Sequence, residues 1–238
     1  VIVGFGLLMG RLLQVARHAR SDFESLVVIG IGTMIMFQVV VNIFMTIGLG
    51  PVTGIPLPFM SYGHEQQALD SAAALMRAGA HVVKLEGGAW LANTTSKLSE
   101  RGIPVCAHMG LTPQAINRLG GYRVQGRDTA KAQAIIDEAK LLEDAGASLL
   151  LLECVPVGLA KTLTETLSIP VIGIGAGPDV DGQIMVMHDL LGITPPGIKV
   201  PRFVKNFMAD AESVRGAFEA YSTAVKNGTF PAPEHCFL

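Results

Sequence analysis

Three features of the sequence predict an α/β fold built on a parallel sheet. Runs rich in β-branched residues and leucine, HVVKLEG (81–87), PVCAHMG (104–110), SLLLLEC (148–154) and IPVIGIGAG (169–177), alternate with stretches of helical periodicity. Alternation at this spacing calls for crossover helices, and therefore for strands that run in the same direction. One unit also recurs: a helix closing on Ala-Gly-Ala, then a strand, then a carboxylate, with Gly79 seven residues before Glu86 and Gly146 seven residues before Glu153. Finally, polar side chains gather at the strand ends, which favours a TIM-type (βα)8 barrel, whose chemistry sits at the C-terminal ends of its strands.

Taken in order, the chain opens on a different pattern. Val1–Met9 reads as the tail of an apolar span, followed by a basic connector with Arg11, Arg17, His18 and Arg20 that the positive-inside tendency places in the cytoplasm. From Leu26 to Gly63 there is no Asp, Glu, Lys or Arg, and Leu26–Leu49 exceeds the ~20 apolar residues that cross a bilayer. A transmembrane helix is expected there, with a buried core helix as the alternative. Gln38 and Asn42, four apart, would share one face of it. Residues 65–78 then carry apolar side chains at Ala68, Leu69, Ala72, Leu75 and Met76, the period of an amphipathic helix, and Gly79 stops it. AKAQAIIDEAKLLEDAGA is a second helix ending at Gly146, and a third is expected near Val157–Leu167.

Composition narrows the function classes. A net charge of −2 with scattered histidines argues against nucleic-acid binding, and a mean hydropathy of +0.44 is raised by the uncharged N-terminal stretch. Cys106, Cys154 and Cys236 are odd in number and without CxxC spacing, which suits buried free thiols in a reducing compartment.

On the barrel reading, Lys84 and Glu86 share one face of their strand, and His108 and Glu153 reach the same mouth from later strands. Each has a plainer reading beside it. A carboxylate closing a strand is often a helix N-cap or a surface group, and a single histidine is often structural. GIGAG (173–177) lacks the spacing of a dinucleotide-binding loop, and close backbone packing explains it equally well. The loop 120–126 is either a lid over the mouth or a connector.

Two resemblances follow. GIGTMIMFQVVVNIFMTIGLGPVTGIPLPFMSYG resembles a late segment of the SEDS family of peptidoglycan polymerases, in residues 1–63, without the loop that carries that family's catalytic acid. From residue 57 to 238, LPFMSYG, VVKLEGG, CAHMGLTPQ, GGYRVQGR, LLLECVP, IPVIGIGAG, DGQIMVMHDLLGI and FPAPEHCF together resemble the ketopantoate hydroxymethyltransferase family. That second resemblance implies a cytoplasmic, homo-oligomeric (βα)8 barrel enzyme of pantothenate biosynthesis. The implied reaction moves a hydroxymethyl group from 5,10-methylenetetrahydrofolate to C3 of 3-methyl-2-oxobutanoate, assisted by Mg²⁺. It implies Glu153 as the proton acceptor, Glu86 in the metal shell, Lys84 as a substrate contact and His108 as a further polar group of the pocket.

The sequence also departs from that pattern: Pro56 stands where the family has a metal-binding Asp, and no counterpart of the family's earlier Gly-Asp-Ser strand end is found. Two domains are therefore expected, a SEDS-like membrane fragment (1–56) and a partial barrel lacking its first strands (57–238), joined as a chimera, with impaired activity and possible membrane contact through 1–56. The alternative is a non-enzymatic membrane fragment carrying an inert barrel passenger.

Overall fold

The computed structural model describes residues 2–19, 21–46, 65–194, 197 and 199–238, with the side chains of 2–5, 34, 38 and 40–46 left undescribed. LPFMSYG, Pro56 and the proposed join therefore lie outside the described residues, as do the side chains of Gln38 and Asn42. The chain divides into two units, Val1–Gln67 and Ala68–Leu238.

The first unit contains α1 (Ile2–Arg17) and α2 (Asp22–Thr46). They pack closely: a Cβ added at Gly32 on α2 would stand 3.1 Å from the terminal methyl of Met9 on α1. Ala16, Ile35 and Val39 are buried, whereas Leu7, Phe23, Leu26 and Phe37 remain exposed. The expectation of a membrane span is not supported. No helix among the described residues is long and apolar enough to cross a membrane. The first turn of α2 carries Asp22 and Glu24, its described helix stops at Thr46, and the rest of the uncharged run, 47–63, lies outside the described residues.

The second unit holds the sheet. Its elements are α3 (Glu65–Arg77, entering from the first unit), β1 (Val83–Glu86), α4 (Ala92–Ser99), β2 (Val105–Gly110), α5 (Ile116–Leu119), α6 (Thr129–Asp144), β3 (Leu149–Glu153), α7 (Val157–Thr166), β4 (Val171–Ile174), β5 (Gly182–Gln183), α8 (Met187–Leu190) and α9 (Val214–Lys226). The five strands form one parallel sheet in the order β1-β2-β3-β4-β5. Sequential parallel neighbours with helical crossovers are the repeating βα unit of a barrel; among the described residues the sheet is an open one of five strands.

Period-two alternation gives the sheet two distinct faces. Ala107, Met109, Leu150, Leu152 and Val171 face Ala139 and Leu142 of α6 and Leu159, Ala160 and Leu163 of α7. Leu98, Leu142, Leu150, Leu152 and Leu163 are essentially fully buried, and each such side chain contributes about 1.5–3 kcal/mol relative to exposure. At the β1 end, Val83, Leu98 and Val105 pack on Leu69 and Ala72 of α3. The opposite face carries Cys106, Leu151 and Ile174, covered by Leu111 and Phe203 with Phe237 of the C-terminal tail beside them. That tail is fastened by the Val157 N–H, which donates to the Phe237 carbonyl at 3.0 Å.

Two helices are less visible in the sequence. α4 is short and mostly polar, ANTTSKLS, and is fixed by burial of Thr94, Thr95 and Leu98. α9 has a regular start, with Ser213 Oγ accepting from the Gly216 N–H at 3.0 Å, and it buries Ala217 in a cluster with Phe207 and Phe230.

Candidate active site

Lys84, Glu86, His108 and Glu153 meet on the sheet face that bears Cys106 and Leu151. The register explains why: Glu86 lies beside His108 across β1 and β2, and Gly110 lies beside Glu153 across β2 and β3. Each strand therefore delivers a polar group near its C-terminal end, two residues apart in height between β1 and β3.

Lys84 Nζ stands 3.3 Å from Glu86 Oε1, and the same oxygen stands 3.3 Å from His108 Nδ1. On its other side, His108 Nε2 is 3.0 Å from Glu153 Oε2. The row runs ammonium, carboxylate, imidazole, carboxylate. It becomes more enclosed toward its centre, with side-chain exposures of 50% for Lys84, 8% for Glu86, 2% for His108 and 15% for Glu153. Both ring nitrogens of His108 are at ion-pair distance from a carboxylate, but neither has a hydrogen-bond partner in good alignment.

Electrostatics follow from this enclosure. Burial acts to lower the pKa of His108, yet the Glu153 and Glu86 carboxylates outweigh it and hold the value above the ordinary range. For Glu86, burial acts to raise the pKa, but His108, the Gln114 N–H and Lys84 together hold it below the usual carboxylate value. A protonated His108 makes the row balanced, two cations and two anions, which removes the cost of enclosing an unpaired charge.

The sequence reading missed the backbone support. The Gln114 N–H, just beyond Thr112-Pro113, donates to Glu86 Oε2 at 3.2 Å. Gly110, with φ of 84°, ends β2 where a side chain would run into the Glu153 carbonyl oxygen. The motif CAHMGLTPQ contains both residues, but a backbone donor leaves no signature in residue type.

The chain matches the model of the family described as ketopantoate hydroxymethyltransferase over residues 26–233. It belongs to the ketopantoate hydroxymethyltransferase family. Curated relatives agree across 181 residues, 76% of this chain and 68% of theirs. They include 3-methyl-2-oxobutanoate hydroxymethyltransferase of Shewanella loihica at 61% identity and 3-methyl-2-oxobutanoate hydroxymethyltransferase 2 of Hahella chejuensis at 59%. Among solved structures, a chain of the Amycolatopsis orientalis BexX/CysO complex aligns at 18% identity with a TM-score of 0.42, covering 73% of this chain and 68% of that one, too low to carry an argument. The family match begins at residue 26, inside the segment that resembles SEDS proteins, and nothing in these comparisons supports the SEDS resemblance.

As a ketopantoate hydroxymethyltransferase family member, the chain is expected to present a magnesium site. The residues described do not fit one. Among them no group of three or more His, Cys, Asp or Glu is arranged to hold a metal ion. Glu86 spends Oε1 on Lys84 and His108 and Oε2 on the Gln114 N–H, and both nitrogens of His108 face carboxylates. What the arrangement offers by itself is proton transfer: a partly exposed carboxylate, Glu153, in reach of an enclosed imidazole that is backed by a second carboxylate.

Proposed function

We propose that this chain catalyses hydroxymethyl transfer to C3 of 3-methyl-2-oxobutanoate, with 5,10-methylenetetrahydrofolate supplying the one-carbon unit and 2-dehydropantoate as the product of pantothenate biosynthesis. The site belongs to the part of the chain from residue 57 on, read as the transferase-like domain. The observation that carries the reading is the contact of 3.0 Å between Glu153 Oε2 and His108 Nε2 at the strand ends.

The chemistry asked of the residues is specific. C3 lies α to a ketone, so losing its proton leaves an enolate. Water opens the methylene bridge of the co-substrate, and its two C–N bonds break as tetrahydrofolate leaves with the protons. The enolate carbon bonds to the freed formaldehyde-level carbon, whose oxygen, from the water, is protonated to the new hydroxyl. Glu153 accepts the C3 proton, because it is the more open of the two carboxylates beside the imidazole, 15% exposed against 8% for Glu86. Lys84 is half exposed beside Glu86, and its ammonium attracts the substrate carboxylate or the developing enolate oxygen. His108 and Glu86 hold Glu153 in register, and once Glu153 has taken the proton the row carries one net positive charge, which faces the negative enolate that the same step creates. None of these steps is routed through a metal.

The test is product formation from 3-methyl-2-oxobutanoate and the folate co-substrate by the full chain and by Glu153→Gln. Loss of about 10²–10⁴-fold in turnover is expected for the variant, the range for removal of a general base. Turnover equal to that of the parent would remove Glu153 from the role.

A further inference from the structure

Three neighbouring strands end in the same way, on a residue with a left-handed backbone: Gly110 closing β2 (φ 84°), Cys154 directly after β3 (φ 50°) and Gly175 directly after β4 (φ 63°). Glycine adopts this conformation freely, whereas a side chain is disfavoured there. Cys154 is the one non-glycine residue with positive φ among those described.

Side-chain placement shows what the turn does. In β3, Leu150 and Leu152 face the helices, while Leu149 and Leu151 face the opposite side. An extended continuation would put residue 154 with the helices. Instead the Cys154 side chain packs with Cys106, Leu111, Leu151, Ile174 and Phe203, and Val155 takes the helix side. The alternation is inverted at Cys154, immediately after Glu153.

The inverted residue is held from both sides. Its N–H donates to the Ile174 carbonyl at 2.9 Å and its carbonyl accepts from the Gln125 N–H at 2.9 Å, while the Glu153 carbonyl accepts from the Leu111 N–H at 2.8 Å. Cys154 as a whole is 5% exposed. Burial, with the neighbouring Glu153 charge, pushes its pKa up to about 12, so it is a protonated packing group and not a nucleophile.

We infer that Cys154 is a positioning residue: its buried side chain wedges the end of β3 into a left-handed turn and thereby fixes the Glu153 carboxylate against His108. The inference rests on the role proposed above for Glu153, and it explains why this strand end carries a side chain where its two neighbours carry glycine.

The experiment compares Cys154→Gly, Cys154→Ala and Cys154→Ser in the full chain with ¹⁵N-labelled histidine, reading the His108 imidazole resonance, assigned by its loss in His108→Gln. The glycine variant is free to adopt the turn but lacks the wedge, and its His108 resonance is expected to shift or broaden. Serine, close in shape to cysteine, restores the parent resonance, and alanine moves it less than glycine in the same direction. Turnover of the glycine variant, measured in parallel, falls about 10-fold or more with KM unchanged, since a misplaced reacting group costs rate and not binding. A general loss of stability would reduce the amount of folded protein without moving the resonance of the folded state. An unmoved His108 resonance in folded Cys154→Gly overturns the inference, as does a serine variant displaced as far as glycine. Should the glycine variant not fold, alanine decides, and an unmoved resonance there overturns it. If Glu153→Gln keeps full turnover, the base assignment falls, while the His108 resonance still reports on the wedge by itself.

Discussion

A histidine with 1% of its surface exposed ordinarily sheds its charge on burial. His108 does the reverse because a carboxylate stands at each ring nitrogen, 3.3 Å on one side and 3.0 Å on the other. The direction of that shift fixes how stability responds to pH. His108 has a folded pKa above its ordinary 6.5, so its contribution is complete below 6.5 and fades as the pH climbs through the raised value. Glu86 has a folded pKa below its ordinary 4.5, so its contribution is complete above 4.5 and is lost as the pH falls through the lowered value. Both contributions are complete between 4.5 and 6.5. The difference in thermal midpoint between the parent and His108→Gln should therefore be largest near about pH 5.5 and shrink as the solution becomes alkaline. A difference that stays constant over that range would mean the imidazole is neutral when folded.

At the scale of elements, the strand and helix order was legible because the two periodicities alternate cleanly. β1, β2, β3 and β4 fall inside the runs 81–87, 104–110, 148–154 and 169–177, and α3, α6 and α7 match the expected helices to within a few residues. α4 was not legible, because its burial rests on two threonines and one leucine and leaves little apolar period to read. The links between elements were equally silent. Glu143 near the end of α6 accepts from the Ser168 N–H at 2.6 Å, the Ser168 hydroxyl at 2.6 Å and the Ile169 N–H at 3.1 Å, tying α6 to the approach of β4. The Ser168 hydroxyl leads the interactions that hold the Glu143 pKa below the ordinary carboxylate range. Glu143→Ala is expected to cost about 1–2 kcal/mol in urea unfolding at neutral pH. That deficit should narrow on acidification through the lowered pKa, because the parent then loses the same charge. At the end of β2, Gly110→Ala combines a left-handed φ with a collision against the Glu153 carbonyl. A loss of about 1–3 kcal/mol is expected from the backbone conformation alone, measurable by the same unfolding experiment.

For the whole molecule, the family was legible from many short motifs in one order, and the four polar residues they singled out do converge on one sheet face. For residues 1–63 neither the membrane expectation nor the SEDS resemblance finds support. Their uncharged run suggested a membrane span from composition alone, whereas Ala16, Ile35 and Val39 are buried and no helix among the described residues is long and apolar enough to cross a membrane. The described residues form no metal-holding group, for a related reason. Residue type marks Glu86 as a possible ligand, but its two oxygens are already engaged by Lys84, His108 and the Gln114 N–H, which only coordinates reveal.

The central claim is that three successive strand ends assemble a proton-transfer site around Glu153. It is tested most directly by exchange of the C3 hydrogen of 3-methyl-2-oxobutanoate for deuterium in D₂O, followed by NMR with the full chain in the absence of folate. The parent chain is expected to accelerate exchange, and Glu153→Gln to do so at least about 10²-fold less. Equal exchange by the two proteins would contradict it.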